Sequence, residues 1–167
     1  MRKTDEFEPK PIRTTTRRVP PEWIDYNGHM NVAYYTLAFD KAMDELLERL
    51  GVGESFVREA NMGPMALATQ IHYLAELVEG AEFACDVQLL DADAKRVHCF
   101  LTMIRLADAA EAATYETLTM NVDLARRRSA PYPDWAQQRI GRLLAAHARL
   151  PRPSLAGARI GIRRKGA

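Results

Sequence analysis

The sequence predicts an α+β fold in which a five-stranded antiparallel sheet wraps one long helix, with a further helix towards the C-terminal end. Three observations carry this. A single apolar stripe at helical spacing runs through Val32, Tyr35, Phe39, Met43, Leu46 and Leu50. One strand-like stretch precedes it, and four stretches of strand character follow with no long helical pattern between them.

Residues 12–19 form the first predicted strand, rich in Thr, Arg and branched side chains, and Pro20-Pro21 stops it. The segment Asp25-Tyr26-Asn27-Gly28 reads as a turn, because Asn-Gly tolerates left-handed backbone. Asn31 is placed to cap the helix that follows, and Gly51 ends it. Gly51, Gly53 and Gly63 mark a glycine-rich connection. Beyond it, residues 66–77 give the second strand, 82–90 the third and 97–106 the fourth, with a polar turn over 91–95. Residues 113–125 alternate most clearly, Leu118, Met120, Val122 and Leu124 against Thr119, Asn121 and Asp123. After Pro131 and Pro133, a last helix is predicted over 135–147, with Ile140, Leu143, Leu144 and His147 on its apolar side.

A chain of 167 residues with 47% hydrophobic content builds one domain with a core of its own. Residues 1–130 are read as its main body, and 131–167 as a C-terminal helix and basic tail of the same domain. The charged start with Pro9 is unlike a secretory signal and no apolar run is long enough to span a bilayer, so a cytoplasmic protein without membrane contact is expected. Cys85 and Cys99 lack metal or redox spacing and are read as buried thiols. From Arg126 onward there are 11 Lys and Arg against the single acid Asp134, which leaves 12 basic and 21 acidic residues before it. A basic end attracts cofactor phosphates, a nucleic acid or an acidic partner surface, although Arg163, Arg164 and Lys165 read as a solvated tail. An open sheet also has edges, and pairing with a second copy covers them, so a homodimer or homotetramer is expected.

Several catalytic plans are excluded. Ser55, Ser129 and Ser154 are the only serines and none sits in a nucleophile elbow. Phosphate-binding loops, dinucleotide fingerprints and His-Glu-x-x-His are all lacking, and no metal site is expected. What remains is the segment Trp23 through Tyr35, which sets a carboxylate, a glycine and a histidine just before a helix. Free N–H groups at a helix start polarise a carbonyl oxygen, and a nearby carboxylate can attack that carbonyl or activate water against it. Local spacing alone equally allows Asp25 to be a turn residue and Asn31 a simple cap.

The pattern Asp25-x-x-Gly28-His29-x-Asn31, followed by Tyr35 and Asp40, resembles the motif of hotdog-fold thioesterases related to 4-hydroxybenzoyl-CoA thioesterase. The order of elements over residues 12–125 and His72-Tyr73-Leu74 with Gly80 resemble that family too. Residues 23–35, 89–98 and Leu150-Pro151-Arg152-Pro153 with Ala156-Gly157 are most similar to its betainyl-CoA thioesterases of carnitine breakdown. The resemblance implies hydrolysis of an acyl-CoA substrate with no cofactor beyond the CoA it carries. It implies Asp25 as the catalytic carboxylate, as nucleophile or general base, and the backbone N–H near Val32 as the oxyanion donor. Gly28 would admit the substrate closely, and His29 and Asn31 would position water or the loop. Arg126, Arg127 and Arg128 become candidates for the CoA phosphates. His72 is a candidate for lining the cleft, a structural histidine being the competing reading. A betainyl group would need aromatic faces for its quaternary ammonium, and Trp23, Tyr26, Tyr34 and Tyr35 are candidates unless they only pack the core.

Two rivals remain. A hotdog hydratase would carry Asp-x-Asn-Pro with a later histidine, whereas here Gly28 and His29 follow Asn27. A non-catalytic acyl-CoA-binding module would not need Asp25, and RNA binding lacks a basic patch interleaved with aromatics, so no nucleic-acid partner is expected.

Overall fold

A computed structural model describes residues 7–162, so the basic tail residues Arg163, Arg164 and Lys165 lie outside the described residues. The strands are β1 (Ile12–Arg13), β2 (Arg17–Arg18), β3 (Met62–Tyr73), β4 (Glu82–Ala92), β5 (Arg96–Arg105), β6 (Ala110–Asp123) and β7 (Arg128–Ser129). The helices are α1 (Val32–Leu50), α2 (Glu54–Ala60) and α3 (Asp134–His147), with a 3-10 turn at Pro21–Trp23. All strand pairs are antiparallel, in the order β1–β4–β5–β6–β3, with β2 also on β4 and β7 on β6.

The sheet curls around α1 because alternate residues of its central strands are apolar on one face. Val87, Leu101, Tyr115 and Ile71 form one cross-strand row on that inner face, and Phe39 of α1 stacks on Tyr115 with ring centroids 5.0 Å apart. Tyr35, Phe39, Met43, Leu46 and Leu50 are buried, as the helical stripe requires, while Val32 at its start is exposed. Asn31 caps the helix through Ala33 N–H at 3.0 Å, and Gly51 leaves it in the left-handed conformation at φ 77°. Burial pushes the thiols of Cys85 and Cys99 up to about 12.

The predicted fold class holds, with seven strands in place of five. The expected first strand is broken into β1 and β2 by its own threonines. Cys85 N–H donates to Thr14 Oγ1 at 2.9 Å where a main-chain bond would run, and Thr15 turns its N–H and hydroxyl to the Glu45 carboxylate of α1. Arg17 pairs with the same carboxylate at 2.9 Å. The short β7 folds back on β6 through a turn with Arg127 at φ 55°. β3 begins at Met62 and stops at Tyr73, so the predicted second strand started late and ran too far. The glycine-rich connection contains α2, whose Phe56 is buried against Trp135 of α3.

Helix α3 closes one end of the core with Ala136, Ile140 and Leu143. Its last residue, His147, is buried; Nδ1 accepts from Leu89 N–H at 2.8 Å and Nε2 donates to Lys10 O at 3.0 Å. The bond accepted at Nδ1 requires the neutral ring, and burial lowers its pKa. The segment beyond α3 crosses the outer face of the sheet along one cross-strand row, Gln88, Phe100, Glu116 and Gln70. Gln88 donates to Pro151 O at 3.3 Å, Glu116 accepts Gly157 N–H at 2.7 Å, and Gln70 donates to Ala158 O at 2.7 Å. Phe100 is buried on this outer face.

Candidate active site

The loop before α1 is a tight reversal, held because Asp25 N–H donates to His29 O and Gly28 N–H to Asp25 O, each at 3.0 Å. Gly28 sits at φ 82°, a conformation that a side chain would strain. Ile24 and Met30 bridge its two arms, and buried Met30 donates its N–H to Leu77 O at 2.7 Å, docking the loop on the chain beyond β3.

The half-buried Asp25 carboxylate accepts Asn27 N–H at 2.8 Å and the Asn31 amide at 3.4 Å. Asn31 therefore does two jobs, because its oxygen caps Ala33 while its nitrogen holds Asp25. With Ala33 N–H capped and Tyr34 N–H bonded to Asn31 O, the Val32 N–H is left without a protein acceptor among the described residues. Beside it opens a cleft of about 330 Å³ lined by His29, Met30, Val32, Tyr35, Tyr73, Leu74, Ala75 and Glu76. The carboxylate of Asp25 and the free helix-start N–H of Val32 thus lie within one eight-residue stretch of chain, 25–32, whose His29, Met30 and Val32 line the cleft. His29 Nδ1 lies 3.3 Å from Met30 O on the cleft wall.

The aromatic candidates separate. Trp23 and Tyr34 stack on each other, centroids 5.2 Å apart and nearly parallel. Tyr26 is 96% exposed at the loop tip. Tyr35 is buried, its phenol raised by burial, and meets Tyr73 edge-on at 5.2 Å. Only Tyr35 of the four lines the cleft. His72 is turned away from it: strand alternation puts Tyr73 and Ile71 on the inner face, and His72 on the outer, where it meets the Gln70 amide at 2.7 Å. Arg126, Arg127 and Arg128 are exposed at the opposite end of β6 from the cleft. The strand between spans roughly 30 Å at its usual rise per residue.

Tyr73 and Leu74 entered the sequence reading only as part of the run His72-Tyr73-Leu74, without a place in the site, and Glu76 was not singled out. They lie some forty residues from the loop, and the one local signal was their place beside His72-Tyr73-Leu74 and Gly80. Among the described residues no cluster of metal-ligating side chains is found and no helix is long and apolar enough to cross a membrane.

This arrangement of sheet, helix and loop is that of the hotdog thioesterases, and the chain belongs to the thioesterase-like superfamily, whose sequence model it matches over residues 19–140. It is 33% identical to the betainyl-CoA thioesterase of Pseudomonas aeruginosa over 89% of this chain and 94% of that one. It is 32% identical to the L-carnitine dehydrogenase/betainyl-CoA thioesterase of Rhizobium meliloti, where the match covers 92% of this chain but only 31% of the larger protein. Among solved structures, a Staphylococcus aureus protein in complex with CoA superposes with a TM-score of 0.86 at 26% identity, covering 96% of this chain and all of that one.

Proposed function

We propose that the protein hydrolyses acyl-CoA thioesters to the free acid and CoA, with betainyl-CoA as its substrate. One observation carries the reading: Asn31 ties the Asp25 carboxylate to the capped start of α1, beside the unpaired Val32 N–H. The thioester carbonyl oxygen accepts that N–H, which stabilises the oxyanion as charge develops. Asp25 acts on the same carbonyl carbon, by direct attack to a mixed anhydride or by drawing a proton from water. CoA leaves as a thiolate in either route. Label found in the Asp25 side chain after a single turnover in ¹⁸O-water identifies the anhydride route, with water attacking its aspartyl carbonyl.

The substrate follows from the two relatives, both named for betainyl-CoA, and the CoA-bound neighbour supports the nucleotide part. The experiment is thiol release from a panel of short, branched, aromatic and cationic CoA esters. Release from betainyl-CoA above all others is expected. Binding without release would instead favour an acyl-CoA-binding module.

A second copy completes the reading. Among the described residues the outer edge of β3 carries no partner strand, and the strand exposes Met65 at 38% and Leu67 at 49%, an edge suited to antiparallel pairing with itself. Such pairing sets the Met62 end of one copy beside the Tyr73 end of the other. β3 and β6 run antiparallel with Met62 opposite Asp123, so the three arginines of one copy come near the cleft of its mate. That is how Arg126, Arg127 and Arg128 would meet CoA phosphates that their own cleft holds out of reach.

A further inference from the structure

The geometry points to Glu76 and Tyr73 as the residues that select a cationic acyl group, an inference that rests on the thioesterase reading and adds the source of its specificity. In a betainyl thioester the trimethylammonium nitrogen is separated from the carbonyl carbon by a single methylene. Its binding surface must therefore adjoin the oxyanion donor, and the cleft beside Val32 is the space that does so. A quaternary ammonium offers no N–H, so it is held by aromatic faces and by unpaired negative charge.

The cleft supplies both. Tyr35 and Tyr73 meet edge-on, so the two rings present surfaces in different directions, and Tyr73, at 51% exposure, remains open to an occupant. Glu76 lines the same wall, and its carboxylate makes no ion pair or hydrogen bond among the described residues. The nearest cation is Arg105, which donates to the backbone oxygen of Glu76 at 2.7 Å. Its guanidinium is engaged by Asp108 in a two-point pair at 2.9 and 2.7 Å and makes no bond to the Glu76 carboxylate. Glu76 and Asp108 against Arg105 leave this wall of the cleft with a negative balance. That balance disfavours an anionic acyl group and attracts a cationic one. The Trp23–Tyr34 pair, by contrast, spends one face of each ring on the other.

The test compares betainyl-CoA with 3,3-dimethylbutanoyl-CoA, in which carbon replaces nitrogen at the same shape. The parent protein is expected to favour the cationic ester in kcat/KM. Glu76→Gln and Tyr73→Leu are each expected to lower the ratio of the two constants by about tenfold, the size of one good cation–π or charge contact. Tyr73→Phe, which keeps the ring, retains the ratio, as does Glu79→Gln, an exposed acid outside the cleft. Equal constants for the two esters in the parent, or an unchanged ratio in both Glu76→Gln and Tyr73→Leu, overturn this inference and leave the hydrolase standing. Release from neither ester nor any other CoA ester overturns the hydrolase reading and this inference with it.

Discussion

The Asp25 carboxylate takes one firm hydrogen bond, from Asn27 N–H, and one long one, from Asn31. Asparagine at this position keeps the oxygen for Asn27 and therefore the loop, but loses the charge that attacks or activates water. Asp25→Asn is expected to fold and to bind CoA like the parent while turnover drops a hundredfold or more, about 3 kcal/mol of barrier. Thiol release with isothermal titration of CoA checks it, and near-native turnover would remove Asp25 from the chemistry. His147 gives a second single-group prediction. Its folded pKa lies below the ordinary 6.5, so between those values the unfolded chain binds more protons than the native one. Its contribution to stability is complete above the unfolded value and is lost as pH falls through the folded one. Thermal denaturation should show the midpoint falling as the solution is acidified below about 6.5, and a shallower slope in His147→Gln.

The start of helix α1 would connect these single groups to function, because the cap Asn31 and the proposed oxyanion donor Val32 N–H adjoin each other there. Asn31→Ser keeps a good N-cap but lacks the amide that holds Asp25. Its melting temperature should stay within a few degrees of the parent, against a loss of about 1 kcal/mol for Asn31→Ala. Its kcat should fall about tenfold or more in thiol-release assays, whereas parallel losses of stability and activity would make Asn31 a cap alone. α1 was legible from sequence because its stripe, its cap at Asn31 and its stop at Gly51 are all local signals. The turn and cap over residues 25–32 were legible for the same reason, being contiguous in sequence. α2 was missed since seven residues with a single buried side chain cannot show a helical period. The break between β1 and β2 depends on Thr14 meeting Cys85 and Thr15 meeting Glu45, contacts across long stretches of chain that no local pattern records. The cleft wall at Tyr73 and Glu76 was hidden likewise, being brought to the loop by the bond between Met30 and Leu77.

The uneven charge along the chain would acquire a purpose in the proposed pair of molecules. If the arginines at the β6 turn of one copy serve the cleft of the other, Arg126, Arg127 and Arg128 replaced together by alanine should raise KM at low salt far more than they lower kcat. A mixture refolded from this triple variant and Asp25→Asn should then regain activity. In half of each mixed pair an intact Asp25 faces intact arginines, so up to about half of parental kcat/KM per mixed dimer is expected. No recovery above the sum of the two variants would assign the arginines to their own chain.

The split of the first strand by Thr14 and Thr15 bears on what such pairing can become. Two short pieces bent towards Glu45 offer no straight ladder to an incoming strand, while β3 at the opposite margin is a twelve-residue strand whose longest regular run, residues 68–73, lies beyond Pro64 and the irregularity at residues 66–68. A sheet with two receptive margins can add copies without end and grow into a fibre. With one margin interrupted by its own side chains, such pairing would stop after a single addition. On that reading the threonines that interrupt β1 and β2 would act as a terminator, and Thr14→Val with Thr15→Val would lengthen the margin at the risk of open-ended assembly.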